Sequence, residues 1–233
     1  MTLKQNKKIS IIIPVFNEKN TVEKILKKVS LAPTLDYEKE IIVVDDGSRD
    51  GSEKILDNLK EKINFILLRH FENLGKGEAI KTGLKKVSGN CVLIQDADLE
   101  YDPKDYQNLL RAFSKKSPVV YGARNLWEKR NYLLYVLGGR FIVCLFNLLF
   151  RQKISDIYTG YKLFKADIIK NLNLESKGFE FEAEVTIKIV KRGINIKEVP
   201  IHYYPRKFSE GKKIKFRDGL IAFLTIIKYW LIK

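Results

Sequence analysis

The chain has 233 residues, 45% of them hydrophobic, and 43 lysines and arginines stand against 28 acidic residues for a formal net charge of +15. That balance excludes a disordered chain, a disulfide-stapled miniprotein and a fibrous repeat. The length suits one α/β unit able to bury a sizeable core.

ISIIIPVFN opens with a β-branched run that predicts a fully buried strand, and TVEKILKKVS behind it places apolar residues at helical spacing. EIIVVDDGS and SEKILDNLKEK repeat the plan, followed by FILLRH with EAIKTGLKKV, and by CVLIQDAD with the stretch from Asp105 to Phe113. Strand and helix thus alternate four times, which argues for a parallel sheet with right-handed crossovers. PVVYGAR predicts another strand. Tyr132 to Phe150 is mostly apolar but carries Gly138, Gly139 and Arg140 near its middle. A spanning helix needs about 20 apolar residues and a central arginine costs roughly 2.5–3.5 kcal/mol, so this segment reads as a helical hairpin or interfacial material. Leu220 to Ile232 is shorter and contains Lys228, which predicts an amphipathic helix rather than a span. The expected organisation is a main domain over 1–219 and a C-terminal helix over 220–233.

The charge is unevenly spread. Residues 111–153 carry nine basic side chains against one acidic, and residues 201–233 carry eight against two. Both segments are unusually apolar, a combination that suits an anionic membrane surface better than nucleic acid, since the basic residues accompany aliphatic runs and no RNA-binding signature is present. Cys91 and Cys144 lie inside apolar runs without zinc or disulfide spacing and are expected to be small core residues of a reduced protein. MTLKQNKKIS lacks the apolar stretch and cleavage site of a secretory leader, so the expected location is cytoplasmic, peripheral at the inner face of the membrane.

Ligands of parallel sheets collect at the carboxyl ends of the strands. Asp45 and Asp46 close the second strand and Asp96 and Asp98 close the fourth, so two acidic pairs are expected to face one crevice. In DDGSRDGS a carboxylate either accepts hydrogen bonds from a ribose or base or serves an Asp-Gly turn and helix cap. QDADLE places two carboxylates two residues apart, with Glu100 two further on. Hard oxygen donors of this kind suit Mg²⁺ or Mn²⁺, which complete their shells with water and substrate phosphates. Neither GxGxxG nor GxxxxGK[ST] occurs, and the glycine pair around Lys76 in NLGKGEAI is not a Walker motif. His70 and His202 have no triad partner in the sequence, and structural roles are expected for both. In GFEFEAE, Glu180 and Glu184 share a face if the stretch is helical.

Taken in order, IIIPVFNE, VVDDGSRDGS, NLGKGEAIKTG, QDADLEYDP, YGAR, SDIYTGYKLF, GFEFEAE and EVPIHYYPR resemble the family 2 inverting glycosyltransferases, and within them the dolichyl- or polyprenyl-phosphate sugar synthases. The resemblance runs from about Ile9 to Gly219. It implies a GT-A fold, a Rossmann-like mostly parallel sheet flanked by helices, and transfer of a sugar from GDP-mannose or a UDP-hexose to a polyprenyl phosphate. It implies a nucleotide pocket built by Pro14, Phe16, Asn17, Glu18, Asp46 and Ser48 with Lys76 nearby, and a Mg²⁺ or Mn²⁺ ion held by Asp96, Asp98 and Glu100, where many relatives carry Gln at the last position. It places Asp156 beside the transferred sugar and acceptor, Arg124, Arg130 and Arg206 near the phosphates, and GFEFEAE in a supporting role. PRKFSEGKKIKFRDG departs from the tighter R-x-x-G-x-SK loop of the dolichyl-phosphate mannose enzymes, which leaves the sugar and base open. Relatives often carry further spanning helices, so a separate membrane-protein partner is also implied.

Overall fold

The computed structural model describes residues 7–125, 133–206, 213 and 216–232; Arg130 lies outside them. Seven strands form one sheet in the order β3-β2-β1-β4-β6-β5-β7. Its centre is β1 (Lys8–Val15), which pairs in parallel with β2 (Glu38–Asp45) on one side and β4 (Cys91–Ile94) on the other. The alternation of side chains along each strand sorts the apolar runs between two faces. Ile9, Ile11, Ile13, Val43 and Leu93 enter one core cluster, while Ile12, Ile42, Val44, Val92 and Ile94 enter the other. A sheet covered on both faces needs continuous rather than alternating hydrophobicity, which is what ISIII and EIIVV supply.

On the first face lie α1 (Val22–Leu31), α2 (Ser52–Lys60) and α4 (Tyr106–Ala112), with Ile25, Leu56 and Leu109 in the core. On the second lie α3 (Lys76–Leu84), α6 (Ala166–Lys170) and α7 (Phe181–Lys191), through Ile80, Ile169 and Val185. The edge strand β3 (Ile66–Arg69) pairs with β2. Because β2 and β4 flank β1 and all three run parallel, the turns after them share one edge of the sheet, and the chain order reverses between β1 and β4, the switch point at which such sheets bind ligands.

The second half departs from the expected plan. β5 (Val119–Arg124) forms as anticipated, but β6 (Lys162–Lys165) inserts between β4 and β5 antiparallel to both, and β7 (Lys197–Ile201) adds parallel to β5. Four-residue β6 is too short to show a period of its own, so its sequence signal is hidden in SDIYTGYKLF. The apolar segment is not a hairpin: α5 (Leu133–Phe150) runs uninterrupted through Gly138 and Gly139, where an added Cβ would meet nothing within 4 Å. Cys91 is buried as expected, whereas Cys144 is exposed on α5, because it lies on the opposite side of the helix from Phe146. α8 (Phe216–Leu231) starts before the expected boundary at 219 and packs through Ala222, Ile226 and Tyr229. Together α5, α7 and α8 enclose a third cluster around Phe146, Ile187 and Ile226, which also takes in Ile154 and Ile157. Among the described residues no helix is long and apolar enough to cross a membrane.

This third cluster should behave as true core. Phe146→Ala is expected to lower stability by about 3–5 kcal/mol, whereas Leu148→Ala on the exposed side of α5 should change it by less than about 0.5 kcal/mol. Urea denaturation followed by circular dichroism separates the two, and equal effects would contradict the packing described.

Candidate active site

The turns after β1 and β2 are sewn together by short polar side chains. Asn17, in the left-handed region at φ 50°, donates its N–H to Ser48 Oγ (3.0 Å) and accepts from the Arg49 N–H (2.9 Å). The Glu18 N–H donates to Ser52 Oγ (2.8 Å). Asp50 accepts from the Ser52 N–H (3.0 Å), so the helix-cap reading of DDGSRDGS falls on Asp50, while Asp45 closes the turn by accepting from the Ser48 N–H (3.0 Å).

Asp46 does not open into the crevice. Its Oδ1 lies 2.6 Å from His70 Nδ1 and accepts from the Leu74 N–H (2.9 Å), and its Oδ2 accepts from the Gly75 N–H (2.8 Å). His70 in turn lies 2.9 Å from Thr82 Oγ1 on α3, the structural role expected of it. Asp46 therefore fixes the loop that delivers Lys76, and the expectation of two acidic pairs facing one crevice is corrected to one pair plus Glu18. Gly75 has φ 99°, and a Cβ there would come within 2.4 Å of the Lys177 carbonyl oxygen, so only glycine lets this loop pass.

Lys76, at the first position of α3, lies 2.6 Å from Asp96 Oδ1 and 2.9 Å from Glu182 Oε1. Burial opposes its charge, but Asp96 and Glu182 outweigh burial and raise the ammonium above its ordinary value. Asp98 accepts from the Glu100 N–H (3.1 Å) at Oδ1 and meets the Arg206 guanidinium (3.2 Å) at Oδ2. Burial, then repulsion from Asp96 and Glu100, pushes the Asp98 carboxyl up to about 7 against the pull of Arg206. Leu99 between them sits at φ 65°, a conformation disfavoured for leucine.

Glu100 faces the segment after β7. Its Oε1 accepts from the Arg206 N–H (2.8 Å) and its Oε2 from the Tyr203 hydroxyl (3.0 Å). It thereby latches the residues that carry Arg206, and among the described residues no three Asp, Glu, His or Cys side chains converge as a ready metal cage. Arg206 also reaches Glu18 Oε2 (3.1 Å), and its buried Nε has no hydrogen-bond partner. Lys213 pairs with Glu18 Oε1 (2.7 Å) and donates to the Phe16 carbonyl. Pro14 remains within β1, opposite Val44.

Asp156 and Arg124 form a buried bidentate pair, Nε to Oδ2 at 2.5 Å and Nη2 to Oδ1 at 2.9 Å, and the Tyr158 N–H adds a third donor at 3.0 Å. Arg124 also lies over the Tyr203 ring, 4.9 Å from its centroid. The structure thus joins Asp156, Arg124, Tyr203, Glu100, Arg206 and Asp98 in one continuous polar network. Lys162, fully buried on β6, Tyr203 and Lys213 were not singled out for roles from sequence, although Tyr203 lies within the quoted EVPIHYYPR stretch.

The glycosyl transferase family 2 model matches residues 10–172. The chain belongs to this family. It is 27% identical over 228 residues to glycosyltransferase AglJ of Haloferax volcanii, covering 94% of this chain and 71% of that protein. It is 28% identical over 211 residues to a dolichol-phosphate mannosyltransferase of Pyrococcus furiosus, covering 88% of this chain and 59% of that protein's length. A glucosyl-3-phosphoglycerate synthase of Mycobacterium tuberculosis, solved with Mn²⁺, UDP and glucosyl-3-phosphoglycerate, superposes with a TM-score of 0.76 at 19% identity, over 97% of this chain and 81% of that one. The protein is a glycosyltransferase with the GT-A fold.

The Arg124–Asp156 pair gives a pH-dependent test. Burial opposes the Asp156 charge, but Arg124 outweighs it and holds the carboxyl below its usual 3.8. The stability this contributes is present at neutral pH and is lost only as pH falls through that lowered value. In Arg124→Ala the buried carboxylate loses its paired counter-charge, at a cost of about 3–5 kcal/mol. Burial then raises its affinity for a proton, so the gap from wild type should narrow between about pH 7 and about pH 4. Urea titrations at both values check this, and a gap independent of pH would contradict the pairing.

Proposed function

We propose that this glycosyltransferase moves a sugar from a nucleotide sugar, GDP-mannose or a UDP-hexose, onto a polyprenyl or dolichyl phosphate at the inner face of the membrane. The observation that carries the reading is the placement of Asp96 and Asp98 at the end of β4, beside the β1 turn, with Lys76 and Arg206 against them. The named activity of the Pyrococcus relative supports a prenyl-phosphate acceptor, and the UDP and Mn²⁺ of the mycobacterial neighbour support a nucleotide-sugar donor with a divalent ion.

The donor set fits Mg²⁺ or Mn²⁺. Asp96 and Asp98 are hard oxygen donors, and the repulsion between their charges is what a divalent ion relieves. Asp96 and Asp98 would hold the ion while the donor's phosphates complete its shell; bound there, it would offset the charge growing on the departing nucleoside diphosphate. Glu100 serves by holding Arg206 rather than as a third ligand. Lys76, beside Asp96, and Arg206, beside Asp98, would pair with the same phosphates, and Asn17, Glu18 and Ser48 would shape the turns that receive the nucleoside.

The acceptor phosphate oxygen attacks the anomeric carbon as the bond from that carbon to the diphosphate oxygen breaks, with inversion. A phosphate nucleophile is already anionic near neutral pH and needs no strong base. Asp156 suits this chemistry as an orienting group: its lowered proton affinity and three donors make it a poor base but a firm anchor for Arg124, whose planar fork suits phosphate oxygens.

Attachment to an anionic bilayer is the second part of the proposal. Leu137, Phe141 and Leu148 on α5 and Leu220, Leu224 and Leu231 on α8 are exposed at helical spacing, within the two segments that hold the basic excess. Apolar insertion together with about 1 kcal/mol for each Lys or Arg near the surface gives peripheral binding without a span.

Incubation with radiolabelled UDP- and GDP-sugars, Mn²⁺ and polyprenyl phosphate should move label into the organic phase; label confined to the aqueous phase would favour a soluble saccharide or protein acceptor. Asp98→Ala should lower turnover roughly 10²–10³-fold, and full turnover in that variant would refute the site. In flotation, the protein should rise with anionic liposomes, and the Phe141→Glu and Leu224→Glu pair should leave it at the bottom of the gradient; wild type that stays below would refute attachment.

A further inference from the structure

We propose that Glu182 is a positioning residue that aims Lys76 at the donor diphosphate; the inference rests on the donor site proposed above. Glu182 lies in the first turn of α7, with its carboxylate buried between two lysines. Its Oε1 has no hydrogen-bond partner, so the Lys76 ammonium 2.9 Å away is the charge that compensates this buried oxygen. Its Oε2 is bound by Lys162, a side chain with no exposure at all, which also donates to the carbonyls of Ile157 and Thr159. Burial lowers the Lys162 ammonium despite Glu182, the mark of a charge placed where solvation cannot support it.

Two buried charges behind a partly buried third cost desolvation, and apolar side chains of the same volume often replace such groups with no loss of stability. What apolar residues cannot do is hold a flexible lysine in one direction. Lys76 has four rotatable bonds, and on its exposed side only Asp96 restrains it. Glu182 supplies the second point from behind, and Lys162, bound to its other carboxylate oxygen, holds it in place. The same lysine grips the carbonyls of the segment that carries Asp156, and Gly160 in that segment packs so closely on Asp96 that a Cβ would fall 2.2 Å from its Oδ2. The row of charges therefore sets Lys76 in register with both the donor carboxylates and the acceptor-side segment, and pre-set orientation is the property that transition-state stabilisation requires.

Because Glu182 and Lys162 carry opposite formal charges, the double variant Glu182→Gln/Lys162→Met leaves the net charge beside Lys76 unchanged while it removes the support of Lys76 and the grip of Lys162 on the Ile157 and Thr159 carbonyls. Isothermal titration with UDP and GDP, in Mn²⁺ and separately in EDTA, reads the effect without turnover. The double variant should bind the wild-type protein's preferred nucleotide about tenfold more weakly, as should Lys76→Met, and the triple variant should be no weaker than Lys76→Met. A double variant that binds like wild type, or a loss that adds in full to that of Lys76→Met, overturns the positioning role, since a purely structural effect would add. Glu182→Asp, which keeps the charge but shortens the reach, provides a second route if the double variant fails to fold: it should weaken binding, and wild-type affinity would overturn the proposal. Wild type that binds neither nucleotide defeats the donor reading itself, whereas weakening by Lys76→Met with none in the Glu182 variants defeats this inference alone.

Discussion

The site depends on how four carboxylates are tolerated at one edge of a sheet. Glu18, Asp96, Asp98 and Glu100 leave the ends of β1 and β4, where Asp96 meets Lys76, Glu18 and Asp98 meet the Arg206 guanidinium, and Glu100 accepts from the Arg206 main-chain N–H. Each cation is itself held by a buried network: Lys76 by Glu182 and Lys162, Arg206 by Glu100 through its own main chain. The residual strain in this balance is visible at Asp98, which burial and its acidic neighbours push toward neutrality although a guanidinium sits against it. A site built this way is poised for a ligand that brings both negative phosphate oxygens for the cations and a positive ion for the carboxylates.

Much of the first half was legible in the sequence because β1, β4 and most of β2 are buried on both faces, while the edge strand β3 is partly exposed. ISIII and EIIVV admit no amphipathic alternative, and the acidic residues at their ends mark the ligand edge by position alone. The family signature carried the reading further, to Lys76, Arg124, Asp156 and Arg206, all of which the structure draws into the two networks. It was silent on what each side chain touches. Asp46 and Asp98 look alike on paper, yet one is consumed by the 70–75 loop and the other stays beside an arginine; the difference comes from a loop two elements further along the chain from Asp46. Glu100 is the same lesson in reverse, since spacing placed it with Asp96 and Asp98 while its carboxylate meets Tyr203.

The second half was less legible because its signals are tertiary. β6 is a strand by virtue of its neighbours β4 and β5, and its inward Lys162 reads in sequence as a solvated residue. A fully buried lysine becomes intelligible only once Glu182 arrives from α7, some twenty residues later. The glycines of α5 suggested a break, but packing against α7 and α8 on one side makes helix continuity worth more than local propensity costs, roughly 1 kcal/mol per glycine.

These features bear on the division of labour between donor and acceptor. In the acceptor-side pair, Asp156 is fully engaged by Arg124 and Tyr158 and favours its charged form, so proton abstraction is the task for which it is least suited. An enzyme whose nucleophile arrives as a neutral hydroxyl would need a base that holds a proton near neutral pH, as an isolated buried carboxyl does. Asp156 holds its charge instead, which fits the nucleophile of the proposed reaction, a phosphate that is already an anion, better than a sugar hydroxyl.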